Sequence, residues 1–98
     1  MNDIEKIGER IKRERLAIKL TQKELADRVG VGVPHISKVE AGRENPSDEL
    51  LEKIAGVFGL DPDELLLAAG RVPDEFVEKL AADPSKGLEF LRSLDWDT

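Results

Sequence analysis

Cysteine is absent from this 98-residue sequence, which excludes a disulfide framework and a thiolate metal site and agrees with a reducing compartment. Aromatic residues make up only 4%, so the core must be small and aliphatic, of one-domain size. No run approaches the ~18 apolar residues of a membrane span. The acidic, polar start Met1-Asn2-Asp3 does not read as a secretory signal. A soluble protein of the cytoplasm, with no membrane partner, is expected. The alternating apolar and polar pattern of a half-buried strand is missing throughout, so the fold class is all-α. Histidine occurs once, as His35, with no cysteine or second histidine to complete a metal site. Nor does any spacing bring together a nucleophile, a base and an orienting group, so no metal, no cofactor and no enzymatic activity are expected.

The net charge of −6 argues at first against a polyanionic partner, but its distribution matters more than its sum. Residues 1–45 hold ten Lys/Arg against eight Asp/Glu, and residues 46–98 hold five against thirteen. Arg10, Lys12, Arg13, Arg15 and Lys19 concentrate positive charge in the first half, whereas the second half would repel a phosphate backbone.

What the sequence does contain is the stretch Gln22 to Gly42, two short amphipathic segments around a glycine-punctuated break. Leu25, Ala26 and Val29 form one apolar stripe, Ile36 and Val39 another. Thr21 with Glu24 three residues later reads as a capping box that starts a helix over Gln22 to Val29. Gly30 suits the left-handed end of that helix, Val31 turns inward, and Gly32 caps a second helix over residues 33–41 with Pro34 in its first turn. Helices this short are marginal alone, so flanking segments must supply their core. A helix from about Ile4 to Ile18, capped by Asn2 or Asp3, offers Ile4, Ile7, Ile11 and Ile18. Ser47 caps another over Asp48 to Phe58, and Gly59 stops it. Asp61-Pro62-Asp63-Glu64 opens a fifth helix.

These residues carry a resemblance. From Ile7 to about Leu67 the chain is similar to the XRE family, the Cro and phage-repressor type of helix-turn-helix regulator. The matching elements are Thr21-Gln22, Glu24-Leu25-Ala26, Gly30-Val31, Ile36-Ser37-Lys38-Val39-Glu40, Gly42, Asn45-Pro46 and Asp63-Glu64-Leu65-Leu66. The resemblance implies a five-helix lambda-repressor-like DNA-binding domain over residues 1–69. It implies a structural ion pair between Arg15 and Glu40, and a glycine where this chain has Lys19. It also implies a sequence-specific regulator, most simply a repressor, that binds a double-stranded DNA operator as a homodimer with helix 33–41 in the major groove.

With Ile36 and Val39 inward, the outward positions of that helix include Val33, Pro34, Ser37 and Lys38, the candidates for base contact. Val33 and Pro34 offer only apolar contact, such as to a thymine methyl, while Lys38 can donate to guanine O6 or N7 and Ser37 to several base edges. Thr21, Gln22, Arg43 and Asn45 flank the helix where the family contacts phosphate, and His35 reads as a solvated or phosphate-contacting residue. Arg43 and Asn45 can equally serve as a loop cation near a helix end and a turn former before Pro46.

Gly70-Arg71-Val72-Pro73 marks a boundary. Residues 70–98 are predicted to form a short helical hairpin, about Pro73 to Ala82 and Pro84 to Leu94. Phe76, Leu80, Leu88, Leu91 and Leu94 give it too much apolar surface for a free tail. It either packs back on the five-helix unit or helps hold a homodimer. An alternative reading makes this acidic segment a docking element for a regulatory protein partner, as in an antitoxin-like protein, with the helix-turn-helix unit as scaffold.

Overall fold

The computed structural model describes residues 3–72 and 74–93, and every regular element in them is an α-helix: α1 (Asp3–Ala17), α2 (Gln22–Val29), α3 (Val33–Glu40), α4 (Asp48–Phe58), α5 (Pro62–Ala68), α6 (Asp74–Ala82) and α7 (Pro84–Ser93). The local signals act as their chemistry dictates. Thr21 accepts from the Glu24 backbone N–H while the Glu24 carboxylate accepts from that of Thr21, closing the capping box of α2. Ser47 and Asp61 cap α4 and α5, and Gly30 ends α2 in the left-handed region at φ 76°.

The core of α1–α5 is aliphatic. Ile7 and Ile11 of α1, Leu25 of α2, Ile36 and Val39 of α3, Leu51 and Ile54 of α4 and Leu65 of α5 are fully buried. Val31, in the turn, packs against this cluster together with Val57, Phe58 and Leu60. Pro46 is also fully buried, which anchors the loop from α3 to α4 at that residue.

The end of α1 departs from the periodic reading. The helix stops at Ala17, and Ile18 is 44% exposed, while Leu20 takes the buried place at 8%. The chain reverses through Lys19, whose φ of 59° makes it the one non-glycine residue with positive φ among those described. Lys19 N–H donates to the Leu16 carbonyl and Leu20 N–H to that of Arg15, closing the last turn. A left-handed non-glycine residue costs ~1–2 kcal/mol, which the surrounding bonds must offset.

Gly8 gives a close approach that no periodicity foretells. A Cβ there would overlap the Val39 carbonyl oxygen and lie 3.0 Å from that of Glu40. The missing side chain lets α1 lie against the backbone of α3. Among the described residues α6 and α7 pack on each other, and neither makes an extended contact with α1–α5. Of the hairpin's expected apolar contacts, Leu88 is 52% exposed. The side chains of Phe76, Leu80 and Leu91, and Leu94 and Trp96 entirely, lie outside the described residues, as does Asn2.

Candidate nucleic-acid interface

A buried polar node ties the end of α3 to α1 and to the start of α2. Arg15 Nε donates to Glu40 Oε2 at 2.7 Å, Arg15 Nη2 to Glu40 Oε1 at 3.0 Å, and Arg15 Nη1 to the Leu20 carbonyl at 2.7 Å. Gln22 Nε2 adds a bond to Glu40 Oε1 at 3.1 Å. One carboxylate at the end of α3 is thereby joined to α1 and to the first turn of α2. Its two oxygens receive three N–H donors, so the ionised form is satisfied although buried.

Held this way, α3 turns one face out. Ile36 and Val39 are fully buried, while Val33, Pro34, Ser37 and Lys38 are all exposed. The exposed set pairs two apolar side chains with a hydroxyl and an ammonium, which together can touch methyl groups and base-edge acceptors. Thr21 at the start of α2 and Arg43 after α3 are exposed on either side. Gln22 is half-buried and commits one amide hydrogen to Glu40, leaving the second for an outside acceptor.

The loop after α3 folds back on the helix. Gly42 has φ 75°, and its Cα is packed so closely on Glu5 that a Cβ would lie 3.2 Å from the Glu5 Cα. Beyond it, the N–H groups of Arg43 and Glu44 donate to the Lys38 carbonyl at 2.9 and 3.3 Å. The fold-back brings the Glu44 carboxylate to His35 Nδ1 and within 3.9 Å of Lys38 Nζ. His35 is therefore half-buried beside a carboxylate, and Lys38 has an internal counter-charge. No local pattern in the sequence marks Glu44 for this place, because it depends on the fold-back at Gly42.

Asn45 is exposed and tied to a residue that sequence reading treats only as part of a boundary. Arg71 Nη2 donates to Asn45 Oδ1 and to the Pro46 carbonyl, each at 2.5 Å, and Arg71 Nη1 to Asp48 Oδ1 at 2.6 Å. Arg10 is likewise occupied. It donates to Glu64 Oε1 at 2.8 Å and to Glu14 Oε1 at 3.3 Å, and the bond to Glu64 raises its pKa further. Arg10 thus joins α1 to α5, whereas Lys12 and Arg13 remain exposed. Among the described residues no group of His, Cys, Asp or Glu is arranged to hold a metal ion, and no helix is long and apolar enough to cross a membrane.

The helix-turn-helix family pattern HTH_3 matches residues 11–65, which encompass α2, the turn and α3. The chain is similar to the HTH-type transcriptional regulator DdrOP3 of Deinococcus deserti, at 32% identity over 93% of this chain and 74% of that one. It is similar to the immunity repressor protein of Bacillus phage phi105, at 32% identity over 88% of this chain and 62% of that one. Among solved structures it resembles the restriction-modification controller protein C.AhdI from Aeromonas hydrophila. That likeness has a TM-score of 0.61 and 33% identity, and covers 64% of this chain and 96% of the other.

Proposed function

The chain belongs to the XRE-type helix-turn-helix family of DNA-binding transcriptional regulators, which are not enzymes, and on that premise we propose that it is a repressor that grips a two-fold operator as a homodimer. Helix α3 enters the major groove. Lys38 and Ser37 donate to base edges, and Val33 and Pro34 provide apolar contact. Thr21, Gln22, His35, Arg43 and Asn45 hold the flanking phosphates. The cytoplasm is its site of action.

The observation that carries this reading is the two-faced character of α3. Ile36, Val39 and Glu40 are buried and pinned, while Val33, Pro34, Ser37 and Lys38 stand exposed on the outer face. A helix held by one face with a polar and apolar mixture on the other suits groove reading, because the N-terminal end of a recognition helix reaches deepest. The exposed Leu88 on α7 and Val77 on α6 support a self-association role for residues 70–98. A single module of this size buries little surface on DNA, and a second copy supplies the rest.

The test is selection from a random duplex pool at physiological salt, with Lys38→Ala in parallel. An enriched two-fold motif is expected, with preference lost at one symmetric base pair in the variant. A folded protein that enriches nothing overturns the reading.

A further inference from the structure

The face that carries the proposed phosphate contacts has a residue behind it that neither the helix-turn-helix motif nor its flanks contain. Arg71 lies beyond α5, with its backbone N–H held by the Leu66 carbonyl at 2.9 Å. Its side chain crosses to the loop between α3 and α4 and places one planar guanidinium against three acceptors there, Asn45 Oδ1, the Pro46 carbonyl and Asp48 Oδ1. The sequence separations are 26, 25 and 23 residues. We infer that Arg71 is a positioning residue for DNA binding, which acts by turning the Asn45 amide so that its N–H₂ group is presented to a phosphate.

Hydrogen-bond chemistry decides which way the amide faces. A guanidinium has five donors and no acceptor, so the end of Asn45 that meets Arg71 must be its oxygen. The nitrogen end is then directed away from Arg71, on a residue that is exposed. Without this anchor the amide of an exposed asparagine rotates freely, and either end meets an approaching phosphate; with the oxygen leading, it repels. Arg71 removes that ambiguity. Its own charge is compensated by Asp48 at 2.6 Å, and its side chain is only 23% exposed, so it acts through Asn45 and not as a phosphate ligand. The geometry also demands arginine. A lysine keeps the charge but is a point donor on a flexible stem and lacks the fixed fork that meets these three acceptors.

This inference rests on the operator-binding reading and deepens it at one phosphate contact. Its test is a double-mutant cycle in the full chain, measuring affinity for the selected operator against salt for Arg71→Ala, Arg71→Lys, Asn45→Ala and the Arg71→Ala/Asn45→Ala pair, with thermal melts of each. Losing one amide hydrogen bond to a charged phosphate is expected to weaken binding about tenfold to a hundredfold. Each single variant should show that loss, and the pair should lose no more than either one. The slope of log affinity against log salt should stay unchanged, because Asn45 releases no counterion.

A slope that falls by ~0.9 in Arg71→Ala would make Arg71 a direct phosphate ligand and overturn the inference. So would wild-type affinity in Arg71→Lys, or losses that add in the pair. Wild-type protein that fails to bind duplex at all overturns the operator reading itself, an outcome distinct from these.

Discussion

Arg15 and Glu40 meet through both arms of a guanidinium fork, with side chains only 8% and 3% exposed, at the point where α1 touches the end of α3. The pair sits 25 residues apart in sequence and takes in Gln22 and the Leu20 carbonyl as well. It holds α3 from its buried side, away from the exposed Val33, Pro34, Ser37 and Lys38.

Removing one partner should strand the other. Arg15→Met or Glu40→Ala is expected to lower stability by about 3–5 kcal/mol, while Arg15→Met with Glu40→Leu should lose less than the two singles together, because no lone charge remains buried. Urea unfolding of the three variants checks this. Equal and additive losses would show that the pair acts through packing alone.

Two glycines on helices should respond to alanine in opposite directions. Gly8→Ala drives a methyl into the Val39 and Glu40 carbonyls, which are backbone and cannot rotate away, and is expected to cost about 1–3 kcal/mol. Gly56, inside α4, has nothing within 4 Å of its missing Cβ, so Gly56→Ala should stabilise by about 0.4–1 kcal/mol through the unfolded chain. Thermal melts of the two proteins side by side decide the matter.

Glu24 predicts an acid dependence of stability. Its carboxylate accepts from the Thr21 backbone N–H, chiefly, and is further favoured by the neighbouring Thr21 hydroxyl, which together hold its pKa below the ordinary 4.5. A carboxyl whose pKa falls on folding stabilises the fold above its unfolded value, and that contribution disappears as pH drops through the folded value. The melting-temperature gap between the native protein and Glu24→Gln should be constant near neutrality and close below pH 4.5. Taking the difference cancels the other carboxyls, and a gap independent of pH would exclude the capping role.

If the hairpin holds the homodimer, two charges on its exposed apolar positions should separate the subunits. Val77→Asp with Leu88→Asp replaces side chains that are 50% and 52% exposed, so the fold of a single chain has little to lose. Sedimentation should give a monomer with helicity retained. An unchanged dimer removes these two positions from the interface.

Much of the scaffold was legible in the residues because the signals are local. Thr21 with Glu24, Gly30, Ser47 and Asp61-Pro62 each act within about four residues of themselves, and helices α2 and α4 begin and end where those signals put them. The apolar stripes of α2 and α3 are buried as their spacing requires. At the end of α1 the same logic failed. Ile18 satisfies the helical period but lies beyond the last turn, where Lys19 reverses the chain and the buried place passes to Leu20.

By itself, then, the sequence determined the class, the helix-turn-helix unit and its two-faced α3, since periodicity and capping depend on neighbours along the chain. The tertiary structure alone decided what stands behind that face. The close approach at Gly8, the Glu44 carboxylate beside His35 and Lys38, the engagement of Arg10 with Glu64, and the Arg71 grip on Asn45 all join residues that only packing brings together. Each is a contact between side chains or backbones whose separation in sequence carries no period, so only the packed arrangement of the helices can specify it.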